Sequence, residues 1–209
     1  MGKILELSEE LFIGKGGHQA TYIHPGDPSL CVKIPHDPKD GDVKKELRYR
    51  RICEEQLTSS ILVTKYYGTT DTSRGKGYVF ERVLDGDGNT SRDLKDFLPA
   101  AEENVTPDKV ALIRELLLRF KEDYLRERIV MADTDITNFM VQHLPSGEYR
   151  IRIVDNIGTP VWIPLVYYFE FFSVRRAKRY WDFIASYLWE HYPDLISADF
   201  FKELAINKF

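Results

Sequence analysis

Two side chains stand five positions apart inside an otherwise apolar stretch, Asp133 and Asn138 in Ile129-Val-Met-Ala-Asp-Thr-Asp-Ile-Thr-Asn-Phe-Met-Val141. Carboxylate and amide oxygens set between apolar flanks are expensive to bury without a partner, so a metal or a polar substrate is the natural occupant of their neighbourhood. Two chemistries compete for these residues. In the first, Asp-x-x-x-x-Asn is a phosphotransfer loop. Asp133 orients or deprotonates an acceptor hydroxyl, Asn138 is a metal ligand, and Asp155, which ends the strand-like run Tyr149-Arg-Ile-Arg-Ile-Val-Asp, is the second metal ligand. In the second, Asp133-Thr-Asp135-Ile-Thr137 is a phosphatase-type loop in which Asp133 attacks phosphorus and Asp135 is the acid/base.

Residues upstream carry matching chemistry. Leu11-Phe-Ile-Gly14-Lys-Gly16-Gly17-His-Gln-Ala-Thr-Tyr-Ile leaves a strand, turns through three glycines and returns as a strand. Gly14, Gly16 and Gly17 let backbone N–H groups approach a phosphate. No helical pattern follows, which disfavours a Walker loop or a dinucleotide fingerprint. Lys33 lies in the apolar run Leu30-Cys-Val-Lys-Ile-Pro, and alternation puts it on one face with Cys31. An ammonium there needs an anion. Glu46, on the next helix, is the expected partner, although Arg50 lies one turn further along the same helix as a competitor.

These residues need elements to hold them. Five strands are expected within residues 1–84, at the two arms of the glycine turn, at Leu30–Pro35, from Ile61 to Gly68, and from Gly77 to Leu84, with one helix over Val43–Leu57. The run Phe80–Val83 is the expected hinge, where the backbone at Glu81 and Val83 would meet adenine. Asp85-Gly-Asp-Gly-Asn-Thr-Ser reads as the linker between two lobes, 1–84 and 85–209. Beyond it, Ser91 caps a short helix to Leu98. Thr106 caps a core helix over Pro107–Arg128 whose apolar residues recur at three- and four-residue steps. The chain after Tyr167 is helical, and Arg175, Arg176, Lys178 and Arg179 read as a basic cluster on a solvated face. The phosphatase chemistry needs a large parallel sheet built after its motif, and this order of elements does not supply one. The phosphotransfer chemistry uses the whole chain. It implies an α+β, two-lobed, protein-kinase-like fold: a small antiparallel-sheet N-lobe and a reduced, mostly helical C-lobe, with ATP and Mg²⁺ as cofactors.

Composition narrows the partners. With 43% hydrophobic residues the chain can build a core, and a net charge of −4 excludes general nucleic-acid binding. Cys31 and Cys53 read as reduced, buried thiols, and no Cys/His spacing suggests zinc. The acidic start lacks a signal-peptide pattern, and the most apolar stretch, Trp162–Phe172, is interrupted by Pro164 and Glu170 and is too short to span a bilayer. A cytoplasmic protein is expected.

The chain resembles the YrbL family, small bacterial proteins of the PhoP regulatory network within the protein-kinase-like superfamily. The resemblance rests on Ile13-Gly-Lys-Gly-Gly-His, Tyr22-Ile-His-Pro, Leu30-Cys-Val-Lys-Ile-Pro, Lys45-Glu-Leu-Arg-Tyr, Thr137-Asn-Phe-Met-Val and Val154-Asp155. It implies the kinase-like fold, a cytoplasmic location and a link to envelope-stress or Mg²⁺ signalling. The chain also departs from the protein-kinase pattern. Gln19 replaces the third loop glycine, Met131-Ala132 replaces the usual His-Arg, Asp155-Asn-Ile-Gly158 is one residue longer than Asp-Phe-Gly, and no long activation segment follows. The expected function is Mg·ATP-dependent phosphoryl transfer to a hydroxyl on a small molecule or a protein. The alternatives are a pseudokinase acting as a regulatory interaction module in PhoP-type signalling and, as a third option, nucleotidyl transfer.

Overall fold

The computed structural model describes residues 4–37, 41–100 and 105–207. A five-stranded antiparallel sheet comes first, in the order β1-β2-β3-β5-β4. Its strands are Phe12–Lys15 (β1), Gln19–Ile23 (β2), Leu30–Pro35 (β3), Tyr66–Thr72 (β4) and Gly75–Glu81 (β5). The Ile61 end of the expected fourth strand stays out of this sheet, because Val63 pairs instead with Ile153 far along the chain. The β4–β5 turn is tight, with Gly75 at φ +106°. Between β3 and β4 lie two helices rather than the single one expected, Gly41–Ile52 (α1) and Glu54–Ser59 (α2), separated by Cys53 at φ −109°, ψ 36°.

The second half holds a three-stranded sheet, β6-β7-β8, from Arg92–Asp93 (β6), Phe139–His143 (β7) and Tyr149–Ile153 (β8). Helices surround it: Leu94–Phe97 (α3), Pro107–Glu127 (α4), Leu165–Tyr168 (α5), Glu170–His191 (α6) and Ala198–Leu204 (α7). The caps follow hydrogen-bonding demand. Thr106 accepts from the Lys109 N–H, and Pro107 fills the first turn of α4. The α3 cap is Asp93, not the expected Ser91; the Ser91 hydroxyl donates instead to Asp85. Among the described residues no helix is long and apolar enough to cross a membrane.

The architecture is α+β, an antiparallel sheet first and a mostly helical part with a small second sheet after it, and its core shows how these halves are joined. The main apolar cluster centres on Phe120, Tyr124 and Trp181, and it also takes in Tyr49, Leu57, Leu62 and Val63 from α1, α2 and the segment that follows. Only Leu7, Tyr22, Val32 and Ile34 form a separate small cluster on the sheet. Backbone bonds reinforce the junction. The Ile153 N–H donates to Leu62 O at 2.8 Å, and the Thr64 N–H donates to Ile153 O at 3.1 Å. Beside them Arg152, 6% exposed at its side chain, meets Glu81 at 2.8 Å. Burial works against the Glu81 charge, but Arg152 and the Lys65 N–H more than compensate and hold its carboxyl below the ordinary range. Helix α1 is tied to the second half through Tyr49, whose hydroxyl accepts from the Val130 N–H at 3.1 Å and whose ring stacks on Tyr167.

Gly77 marks where the sheet has no spare room. A Cβ there would stand 2.5 Å from Val32 Cγ1 and 3.1 Å from Ile34 Cδ1. Gly77→Ala is expected to destabilise the chain by about 1–3 kcal/mol through overpacking, read as a lower urea midpoint at unchanged m-value.

Candidate active site

A cleft of about 570 Å³ lies between the glycine turn, α1, β5 and the loop ahead of β7. Asp133, Asn138 and Asp155 all line it, together with Gly16, Gly17 and Gln19. The loop owes its shape to local hydrogen bonding. Asp135 caps the short 3₁₀ turn Ile136–Asn138 by accepting from the Thr137 N–H at 3.0 Å and the Thr137 hydroxyl at 2.8 Å. That turn brings the Asn138 amide onto Asp133, donating to Oδ1 at 2.9 Å, while the Asp135 N–H donates to the same oxygen at 3.2 Å. Asp135 Oδ1 is therefore taken by the turn.

The segment that carries Asp155, just after β8, is fixed against this loop. The Val154 N–H donates to Asn138 O at 3.0 Å, the Ala132 N–H to Asn156 O at 2.7 Å, and the Gly158 N–H to Val130 O at 2.6 Å. Gly158 sits at φ +96°, and a Cβ there would meet Lys45 O at 3.0 Å. Both facts call for glycine.

Lys33 is buried at 6% exposure. Its ammonium donates to Val154 O at 2.5 Å, lies 3.7 Å from Asp155 Oδ2 and stands 4.7 Å from the Phe80 ring centroid. The expected Lys33–Glu46 pair is not formed. Glu46 is held by Arg50, whose Nη2 lies 2.7 Å from its carboxylate while Nη1 donates to Thr64 O at 2.9 Å. The partner one helical turn away needs no rearrangement to reach Glu46, and the Thr64 carbonyl fixes the guanidinium in place.

The remaining expected residues divide. Gly16 and Gly17 line the cleft; Gly14 does not, because it is paired with Thr21 inside the sheet. Glu81 and Val83 also lie off the cleft wall. The Glu81 N–H is given to Lys65 O, its carboxylate to Arg152, and the Val83 carbonyl accepts from the Ser91 N–H. Strand pairing thus uses the Glu81 N–H, and the linker uses the Val83 carbonyl.

Two features were not legible beforehand. Gln19 reaches across the cleft and donates its amide to Asp155 Oδ2. Arg176, grouped by sequence with a solvated basic cluster, turns inward. Its Nη2 donates to Met131 O at 2.9 Å, and the neighbouring Tyr180 hydroxyl donates to Ala132 O at 3.3 Å. Helix α6 thus holds the backbone at Met131-Ala132. The buried stripe Ala177, Trp181, Ile184 and Leu188 fixes which side of α6 faces inward, and that periodicity is the signal that could have placed Arg176 at its edge.

Among the described residues no cluster of three or more His, Cys, Asp or Glu is arranged to hold a metal. Magnesium shared with substrate phosphates does not need one, since one or two carboxylates with an amide oxygen suffice, and Asn138 with Asp155 fits that donor set.

Asp133 opens on the cleft, yet its carboxyl is held above the ordinary aspartate range. Desolvation by the cleft walls is the largest cause; the nearby charges of Asp135 and Asp155 add to it, while the Asp135 N–H and Lys45 oppose it. Such a group binds its proton more tightly in the folded chain than in the unfolded one, so its ionisation destabilises the fold. The cost is absent below the unfolded value and fully present above the raised one. Asp133→Asn should therefore gain stability relative to the parent as pH rises through that window. The gap between their urea midpoints should be wider at about pH 7 than at about pH 4.

A family model described as PhoP regulatory network protein YrbL matches residues 5–188. YrbL of Escherichia coli (strain K12) and YrbL of Shigella flexneri are each 31% identical over 186 residues, covering 87% of this chain and 87% of each relative. Among solved structures, a double mutant of the PknI kinase domain of Mycobacterium tuberculosis shares 14% identity at a TM-score of 0.47. That match covers 69% of this chain and 56% of the other, so the chain spans little more than half of that kinase domain.

Proposed function

The chain belongs to the YrbL family, and from that premise and the cleft we propose a phosphotransferase that uses Mg·ATP and a hydroxyl acceptor. The observation that carries the reading is the convergence of Asp133, Asn138, Asp155 and the Gly16–Gly17 turn on one cleft, with a buried lysine behind Asp155. Burying an ammonium beside a carboxylate is costly, and at a cleft such a pair is a candidate functional group.

Each residue takes a part on this reading. Backbone N–H groups of the glycine turn and the Lys33 ammonium bind phosphate oxygens. Asp133 accepts the acceptor hydroxyl's proton, a task favoured by a carboxylate whose proton affinity is raised. The Asn138 amide orients that carboxylate, and Arg176 and Tyr180 keep the Met131-Ala132 backbone in register. Asn138 and Asp155 would hold Mg²⁺, which when bound neutralises charge between phosphates. Gln19 has to leave Asp155 for that site to form. Glu46 has no direct part while Arg50 holds it.

A second reading is favoured by the Gln19–Asp155 bond itself: a pseudokinase whose metal carboxylate is already occupied, serving as a regulatory binding module. One set of measurements separates the two. With Mg·ATP the parent should show a raised thermal midpoint and form ADP in the presence of an acceptor. Asp133→Ala should keep the thermal shift and lose transfer by at least about 100-fold. Lys33→Met and Asp155→Ala should lose the shift. Stabilisation without turnover in the parent leaves the pseudokinase. Neither stabilisation nor ADP formation rejects nucleotide chemistry altogether, and transfer that persists in Asp133→Ala removes the role given to that carboxylate.

A further inference from the structure

The segment that leaves the cleft after Pro160 carries a concentration of outward-facing aromatic and aliphatic side chains. Trp162 is 85% exposed and Phe171 is 68% exposed, and Ile163, Tyr168, Phe169 and Phe172 are exposed beside them. Soluble surfaces rarely leave so many large apolar side chains together without a partner. The segment is not loose chain. Arg48 donates to Val161 O at 3.0 Å and also to Trp162 O. Tyr167 anchors it from within, stacking on Tyr49 and accepting from the Thr159 N–H at 2.7 Å. An ordered backbone therefore presents these rings outward.

The helix that follows this segment is also basic. Along α6 the exposed residues Phe172, Arg175, Arg179 and Phe183 follow at three- and four-residue steps, with Lys178 beside them, while Ala177, Trp181 and Ile184 face the core. Arg179 lies over the Phe183 ring. The acid in this stretch, Glu170, is paired with Arg128. This cationic face belongs to a chain of net charge −4, so it is a local feature and not a consequence of composition.

We propose that this face, from Trp162 to Arg179, docks on the surface of an anionic lipid bilayer. Aromatic side chains projecting beside Arg and Lys one turn away are the pattern of interfacial helices: rings enter the headgroup boundary while long basic side chains reach anionic phosphates. Charge complementarity selects the occupant. A folded acidic protein would have to offer separate pockets at the spacing of these rings, whereas a fluid interface accepts each ring where it stands. The contact is peripheral and spans nothing. It stands apart from the nucleotide reading, since none of these side chains is assigned a part there.

The test is co-sedimentation of the full chain with vesicles of phosphatidylglycerol mixed with phosphatidylcholine, against phosphatidylcholine alone. Binding to the anionic vesicles is expected to be at least about tenfold tighter, to weaken with salt, and to shift tryptophan emission to the blue as Trp162 enters the interface. The pair Trp162→Ser/Phe171→Ser should lose the emission shift and most of the binding. The triple Arg175→Glu/Lys178→Glu/Arg179→Glu should lose the preference for anionic vesicles. All five positions are exposed, so unchanged thermal midpoints are expected for both variants. Failure of the parent to pellet with anionic vesicles overturns the proposal, as does binding that neither variant weakens. A concentration-dependent dimer that Trp162→Ser abolishes, without vesicle binding, would assign the face to a second copy of this chain and overturn it as well.

Discussion

A lysine ammonium buried in an apolar sheet cannot be left alone, and the way Lys33 is satisfied organises the rest of the molecule. Strand β3 supplies no anion of its own. The carbonyl of Val154 and the carboxylate of Asp155 reach it from the second half of the chain, at 2.5 and 3.7 Å. That contact can form only if β8 ends against the N-terminal sheet. The exchange of backbone bonds between Ile153 and Leu62–Thr64, and the Arg152–Glu81 pair beside it, hold it there. The cleft is the space left between two halves drawn together by these polar demands.

Within the cleft, charges compete for few partners. Glu46 has two cations within conceivable reach and is held by the one on its own helix. Asp155 then becomes the available anion for Lys33, and Gln19 takes the same Asp155 oxygen from the opposite wall. A ligand that needs Lys33, or the oxygen of Asp155 that Gln19 holds, must therefore replace existing bonds. Its affinity is reduced by whatever those bonds are worth.

How much of this was legible in the sequence depended on whether the deciding contact was local. That Asp133 and Asn138 belong to one loop could be read from their spacing of five, whereas the 3₁₀ turn and the hydrogen bond that join them came only with the structure. The Thr106 cap and the α4 stripe could be read because helix physics acts within a turn or two. The choice of Glu46 between Lys33 and Arg50 was visible as a rivalry, but its outcome depended on Thr64 O, which only folding brings near. The bonds that Glu81 and Val83 make were hidden for the same reason: Lys65 and Ser91 approach them through pairings that a linear reading of the segment cannot see. Gln19 appeared as a missing glycine. Its amide became meaningful only when a residue 136 positions away stood opposite it.

Helix α6 shows most clearly why a run of like residues need not share one role. Arg175, Arg176, Lys178 and Arg179 are nearly consecutive, so at 3.6 residues per turn they cannot all point the same way. The stripe of Ala177, Trp181, Ile184 and Leu188 sets the orientation of the helix. It sends Arg176 and Tyr180 to the carbonyls of Met131 and Ala132, and it leaves Arg175, Lys178 and Arg179 outside. One helix of 22 residues therefore carries the outer basic face and the inner hold on the Asp133 loop at once. Because packed side chains leave the helix no freedom to rotate under one face alone, a load on the outer face bears on the same body that positions Met131 and Ala132.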